Sequence, residues 1–420
     1  MGVRPQGQDQ GQGVPDLLVL GQRSALAALV ETRALHPVGP ADTRPTGRAL
    51  GFYLHVPFCV QRCHYCSFNT APLEAGQMDP YLRALHGELD LLGALDWARD
   101  MSLATVFLGG GTPSLLEPEA LAAVLEHLRE RWRLAPDAEI TVECNPESVT
   151  RGRLARYRAA GVTRVSLGVQ ALDDAVLKTL GRLHDARGAR AAFEAAREAG
   201  CDDVSVDLMY GLPGLAVDAW AADVERVLDW GPDHVSAYAL TLDGGSPWGA
   251  GGVDGLPGED EVVAQYWALV RAAAARGFEH YEVSNYARPG RRARHNLGYW
   301  RAAEYLAAGP GGCGFVGDVR YGNIKPLARW RAAIEAGTLP VETSERLTPR
   351  QRLAERLILG LRTSDGVPAA WLAERTAGEP TLARRIEEWR DAGHLLLEGA
   401  GARLTESGFI LSDALFVDLL

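Results

Sequence analysis

The chain holds 420 residues, 47% of them hydrophobic, with 43 Lys plus Arg against 54 Asp plus Glu and a formal net charge of -11. Length and composition fit about two to three globular domains with ample buried core, and the acidic balance excludes a general affinity for nucleic-acid phosphates or anionic lipid. No apolar run reaches the ~18 residues of a membrane span and the N-terminal stretch lacks a secretory pattern, while 6 cysteines at irregular spacing make no disulfide framework, so a reducing, cytoplasmic setting without stable membrane insertion is expected.

Residues 1–48 are rich in Gly, Gln, Pro and Ala, with a brief helical pattern over 26–35, and read as a poorly ordered extension. From residue 49 onward, short β-branched or apolar runs alternate with long Ala/Leu/Arg/Glu segments, the pattern of βα units around a parallel sheet. Strands are predicted over 52–56, 105–108, 139–143, 164–169, 203–208 and 234–240. Helices are predicted over 117–132, opening Glu117-Pro118-Glu119, and over 187–199, closing at Gly200. Six repeats predict an α/β fold, an incomplete (β/α)6 barrel over residues 49–283.

Alternation within the strands separates two faces. Glu143 opposes Val142; Ser166, Gly168 and Gln170 oppose Val165, Leu167 and Val169; Ser205 and Asp207 oppose Val204 and Val206. In a barrel the apolar face packs on helices, so Glu143, Gln170 and Asp207 project inward near the carboxyl ends of their strands, where ligands bind in this architecture. An internally satisfied polar layer is the alternative for any one of them.

Over 284–346 the pattern loosens into glycine-rich and aromatic stretches, read as a barrel-closing segment. Helices over 349–362, 367–375 and 381–393, then a hairpin of 395–397 and 402–404, predict an α+β, winged-helix-like C-terminal domain over 347–420. Mixed charge on its second and third helices favours a packing or lid role over DNA binding.

Just beyond the first strand, Cys59, Cys63 and Cys66 stand in C-x3-C-x2-C spacing. Iron–sulfur cubanes take four ligands, supplied by thiolates, so three on one loop leave an iron open to an outside ligand. A structural zinc site is the alternative; it wants a fourth donor and typically a second C-x2-C half. Cys144, Cys201 and Cys313 are isolated, which leaves His55 or His64 to lend a nitrogen. The second strand runs into Gly109-Gly110-Gly111-Thr112-Pro113, where backbone approaches a ligand with no side chain between; taken alone, this run equally suits a tight βα turn.

Together these motifs resemble the radical S-adenosylmethionine superfamily, within the group containing oxygen-independent coproporphyrinogen III oxidase and the heme chaperone HemW, over about residues 50–420. The resemblance implies a 4Fe-4S cluster on Cys59, Cys63 and Cys66, S-adenosylmethionine as its exchangeable fourth ligand, and a reductant as partner. It further implies S-adenosylmethionine contacts from Tyr53, Tyr65, Gly110, Gly111, Thr112, Glu143 in Val-Glu-Cys-Asn-Pro, Gln170, Arg182 in Gly-Arg-Leu-His, and Asp207. A cationic sulfonium and ribose hydroxyls give inward carboxylates a reason to be there, since unpaired buried acids are costly.

The oxidase resembles this chain but carries a further cysteine two residues past the last ligand, where Phe68 stands here, as in HemW-like chains. HemW-like chains also bear H-N-x-x-Y-W, present as His295-Asn296-Leu297-Gly298-Tyr299-Trp300. An imidazole can ligate heme iron and aromatics can cover a porphyrin face; a core histidine in an aromatic cluster fits the same pattern. The resemblance implies a carrier that binds heme, with His295 as candidate ligand, and hands it to an acceptor protein. A radical decarboxylase of coproporphyrinogen III is the alternative; a nucleic-acid-modifying radical enzyme conflicts with the acidic balance. HemW-like chains read Gly-Pro-Gly-Ala-His-Ser where this one reads Gly309-Pro310-Gly311-Gly312-Cys313-Gly314, which makes Cys313 a second candidate.

Overall fold

The computed structural model describes residues 38–419, and the helical pattern at 26–35 lies outside them. The strands are, in chain order, β1 (Ala49–Val56), the two-residue pair β2 (Phe58–Cys59) and β3 (Ala71–Pro72), then β4 (Ser102–Gly110), β5 (Arg133–Cys144), β6 (Arg164–Gln170), β7 (Val204–Tyr210) and β8 (His234–Ala239). Next come β9 (Glu279–Glu282), β10 (Asn285–Ala287), β11 (Tyr305–Ala308), β12 (Cys313–Val316), β13 (Val319–Asn323) and β14 (Val341–Arg346). The C-terminal unit adds β15 (Val367–Pro368), β16 (Leu395–Glu398) and β17 (Gly401–Leu404).

Strands β1 and β4–β8 pair in parallel and in chain order, the (β/α)6 arrangement expected from the sequence. They form the middle of a 12-stranded sheet ordered β14-β13-β12-β11-β1-β4-β5-β6-β7-β8-β10-β9. The barrel stays open: β11 continues parallel to β1, then β12–β14 turn antiparallel along that edge, and β10 and β9 finish the other edge antiparallel. Outward-facing Phe52, Leu54, Val106 and Leu108 are buried under helices Met78–Gly93 and Pro118–Arg131. Those helices bury Tyr81, Leu85, Leu89 and Leu92, and Leu121, Val124, Leu125 and Leu128, the stripe an amphipathic helix needs. Asp185 caps helix Ala186–Glu198 by accepting from Gly188 N at 2.7 Å, and Gly200 at φ 81° ends it in the left-handed turn that favours glycine.

On the inner face, Glu143, Ser166, Ser205 and His234 stand side by side across β5–β8, and Gly168, Asp207 and Ser236 form a second row. Residues 38–48, assigned by sequence to the extension, lie against the far edge. Thr46 N and Gly47 N donate to the Glu304 carboxylate at 2.9 and 3.0 Å, and the Thr43 hydroxyl to Asp318 at 3.4 Å. These contacts span more than 250 positions, beyond any local pattern.

The C-terminal unit has helices Pro349–Leu361, Ala369–Thr376 and Pro380–Asp391 before the β16/β17 hairpin, the order expected, and a core of its own around Leu357, Leu361, Trp389 and Phe416. Helix Pro349–Leu361 spans the gap in the open barrel. Its Glu355 accepts from Arg320 of β13 at 2.6 Å, and past its end Thr363 bridges Glu282 of β9 while Arg362 O accepts from Val283 N. No described helix is long and apolar enough to cross a membrane.

One buried carboxylate ties the edge strands to the helices. Glu88 (1% exposed) accepts from Gly309 N at 2.7 Å, Asn323 Nδ2 at 2.6 Å and Trp330 Nε1 at 2.9 Å. Burial pushes its pKa up to about 8, against the pull of those three donors. Glu88→Leu orphans the Gly309 and Trp330 donors, and urea unfolding is expected to show a loss of roughly 2–5 kcal/mol.

Candidate functional site

The loop that carries the three cysteines continues the sheet beyond the strand ends. Gly111 N donates to Val56 O and Thr112 N to Phe58 O, both at 2.7 Å, extending the β1/β4 pairing into the loop. The approach is so close that a Cβ on Gly111 would lie 2.4 Å from Phe58 O, and Gly110, at φ 113°, leaves no room beside His55. The β2/β3 pair then returns the chain, with Leu73 N donating to Cys59 O at 2.8 Å.

Cys59, Cys63 and Cys66 are half-buried and free of disulfides. Among the described residues no three His, Cys, Asp or Glu side chains converge on a single-ion position; a four-iron cluster binds each thiolate to a different iron and needs no such convergence. Burial raises the Cys59 and Cys66 thiols above their ordinary pKa. Arg62 holds the loop by donating to Cys66 O at 3.0 Å and Gly245 O at 2.7 Å, and Gln61 donates to Gly181 O at 2.7 Å.

The residues singled out for S-adenosylmethionine gather at the carboxyl ends of the parallel strands. Arg182 reaches Cys63 Sγ at 3.7 Å and donates to Asn145 Oδ1 at 2.8 Å and Gly168 O at 2.6 Å; its buried Nε has no partner. Burial works against that guanidinium's charge, but the facing Tyr65 phenol, Cys63 thiol and Glu147 hold its pKa above the ordinary value. Tyr65 packs against Trp248, with ring centroids 6.5 Å apart. Glu143 accepts from Gly110 N at 3.1 Å, which joins the glycine run to β5. Asp207 accepts from the Ser166 hydroxyl at 2.9 Å, and Gln170 ends β6 at φ 70°, a left-handed conformation that non-glycine residues rarely take. Tyr53 bonds His55 Nδ1 at 2.9 Å and stacks on Phe107.

Asn145 joins the two halves of the site, although no local pattern in the sequence marks it. Its amide donates to Thr112 Oγ1 at 3.1 Å and accepts from Arg182, so one residue of Val-Glu-Cys-Asn-Pro aligns the glycine run with the arginine.

Beside this cluster of groups opens a cavity of about 1570 Å³, more than the ~300–1,000 Å³ of an ordinary ligand pocket. Tyr53, Gly110, Glu143 and Phe68 line the end nearest the cysteine loop, Tyr305, Cys313 and Arg320 one wall, and Arg362, Phe409 and Asp413 of the C-terminal unit another. Seven of the 12 tyrosines face it.

His295 stands apart from the cavity lining. Its ring is 3% exposed, Nδ1 bonds Thr105 Oγ1 and Nε2 bonds the Tyr299 hydroxyl, each at 2.8 Å, and it stacks on Phe107. Burial pushes its pKa down to about 3, so it is a neutral core histidine with both nitrogens engaged. Tyr299 and Asn296 of the same motif do line the cavity.

Burial, and then the neighbouring Asp207, push Glu143 up to about 7, while burial outweighs three serine hydroxyls to push Asp207 up to about 6. A folded-state pKa above the unfolded value means that the native state holds its proton more tightly, so these acids cost stability as pH rises through them. Glu143→Gln, which keeps an acceptor for Gly110 N, should therefore gain in Tm relative to the parent between about pH 4.5 and 7, read by thermal melts of ligand-free protein across that range.

Comparison with known proteins bears on the family and the fold. The radical SAM superfamily model matches residues 53–227 and the HemN C-terminal domain model residues 347–411. The chain is 42% identical over 372 residues to the heme chaperone HemW of Mycobacterium tuberculosis, covering 86% of this chain and 94% of that one. It is 36% identical over 401 residues to the mitochondrial radical S-adenosyl methionine domain-containing protein 1 of Bos taurus, covering 91% and 90%. The solved structure of coproporphyrinogen III oxidase (HemN) from Escherichia coli, a radical SAM enzyme, superposes with a TM-score of 0.80 at 22% identity over 90% of this chain and 92% of that one, a likeness of fold. Two family models and 42% identity over most of the chain show that it belongs to the HemW family of radical S-adenosylmethionine proteins.

Proposed function

We propose that this protein binds heme in the tyrosine-lined cavity and passes it to an acceptor protein, with a 4Fe-4S cluster on Cys59, Cys63 and Cys66 and S-adenosylmethionine as the cluster's exchangeable ligand. The observation that carries the reading is the cavity itself: about 1570 Å³, walled by seven tyrosines and opening beside a three-thiol loop. A porphyrin needs a wide apolar cleft with a few polar groups, and the relatives named as heme chaperones match over nearly their whole length.

The residues present suit the cofactors. Three free thiols stand on a backbone-anchored loop, the glycine run leaves a cradle that a single Cβ would fill, and Arg182 keeps a buried Nε without a partner. Cluster and S-adenosylmethionine together supply one-electron chemistry when bound. The chain's own part is placement: Gly110, Gly111 and Thr112 offer close backbone, Tyr53 and Tyr65 flank the loop, and Gln170 and Arg182 frame the strand ends. Glu143 and Asp207 provide negative charge for a sulfonium and its amine, and such a cation draws their raised pKa values back down. Among candidate iron ligands, Cys313 lines the cavity wall whereas His295 does not. A reductant for the cluster and a reducing, cytoplasmic compartment belong to the same reading.

After anaerobic loading with iron and sulfide, Cys63→Ser should lose the visible absorbance of the cluster. Hemin titration should give a Soret band that persists in His295→Gln, a variant expected to melt earlier because a buried ring loses its partners. Formation of protoporphyrinogen from coproporphyrinogen III, with S-adenosylmethionine and reductant, would overturn the carrier reading in favour of a decarboxylase.

A further inference from the structure

Three cations line the cavity: Arg320, Lys325 and Arg362. Arg320 is already engaged by two carboxylates, Glu345 at 3.3 Å and Glu355 at 2.6 Å. Lys325 is exposed at the rim, where water screens its charge. Arg362 differs from both. Its side chain is 7% exposed, its guanidinium pairs with a single carboxylate, Asp413, and it sits over the Phe416 ring at 4.7 Å. Burial pulls its pKa below the ordinary value, with Asp413 only partly restoring it.

A guanidinium has five N–H donors in a rigid fork, and one carboxylate on one nitrogen leaves most of them available. Around Arg362 the lining changes character: Phe409 and Ile410 are apolar, Tyr266 is aromatic, and Ser412 and Asp413 supply the polar corner. Apolar lining beside a buried cationic corner matches a ligand with a broad apolar ring and carboxylates on one edge. A ligand carboxylate entering so dry a corner requires a cation there, because an unpaired charge is costly to bury.

We propose that Arg362 binds a carboxylate at the edge of the porphyrin held in the cavity, while Asp413 serves as its counter-ion when the cavity is empty. The proposal rests on the heme-binding reading and gives the C-terminal unit a direct part in it. Asp413 then has two effects: it keeps the guanidinium charged and in place, and it repels the incoming carboxylate. A purely structural ion pair makes a different prediction, since removal of either partner would weaken the cavity alike.

The test uses the full chain, reconstituted anaerobically, and compares hemin with iron protoporphyrin dimethyl ester, in which both carboxylates are capped. The parent should bind hemin roughly tenfold to a hundredfold more tightly than the ester, the range of one charged hydrogen bond. Arg362→Gln should weaken hemin by a similar factor and leave the ester unchanged; Asp413→Asn should tighten hemin and leave the ester unchanged. Equal affinity of the parent for hemin and ester overturns the role of Arg362 while leaving the heme-binding reading intact. Equal weakening of both ligands by both variants also overturns it, in favour of a structural pair. A parent that takes up neither ligand removes the heme-binding reading and this assignment with it.

Discussion

The site depends on one approach of backbone to backbone. Gly111 N meets Val56 O and Thr112 N meets Phe58 O at 2.7 Å, with no space for a side chain between them. Because these bonds prolong the β1/β4 ladder, the cysteine loop is an outgrowth of the sheet and inherits its rigidity. Every later relation is measured from that anchor. Gly110 N reaches Glu143, Thr112 accepts from Asn145, and Asn145 accepts from Arg182 beside Cys63. A cofactor site assembled from loops alone would have to order each of them on binding; here the sheet has already fixed most of it.

Charge divides the same site into two sides. Arg182 faces the thiol side and stays cationic despite its burial, with the Glu147 carboxylate nearby. Glu143 and Asp207 lie on the acid side, where burial opposes ionisation of both and the Asp207 charge raises Glu143 further. Two acids buried side by side are a standing cost, and the serine hydroxyls and the Arg182 charge relieve only part of it at Asp207. The arrangement suits a ligand with a cationic centre near the acids and an anionic partner near the arginine.

The parallel strands and their inward acids were legible because period-two alternation is local: a few consecutive residues of β5, β6 and β7 suffice to place Glu143, Gln170 and Asp207 on one face. Asn145 was not, since its meaning comes from two partners 33 and 37 positions away. Residues 38–48 looked structureless for the same reason, their acceptors being Glu304 and Asp318. The cavity was invisible for a stronger reason. Its walls run from Tyr53 to Asp413, and they face one another only because β11–β14 extend one edge of the sheet while helix Pro349–Leu361 bridges to the other.

The H-N-x-x-Y-W motif divides between core and cavity: His295 is buried, while Tyr299 and Asn296 line the cavity. Both ring nitrogens of His295 are engaged, Nδ1 with the Thr105 hydroxyl and Nε2 with the Tyr299 hydroxyl. Glu139 accepts from both Arg294 N and His295 N at 2.9 Å and fixes the start of the helical turn. Asn296 donates to the buried Glu282 at 2.8 Å, so the turn is pinned on two sides. For His295 to bind iron it would have to leave the Tyr299 hydroxyl and uncover a ring that is 3% exposed, giving up roughly 1 kcal/mol for the hydrogen bond besides its burial. The motif instead holds Tyr299 and Asn296 at the cavity surface, where they shape its floor.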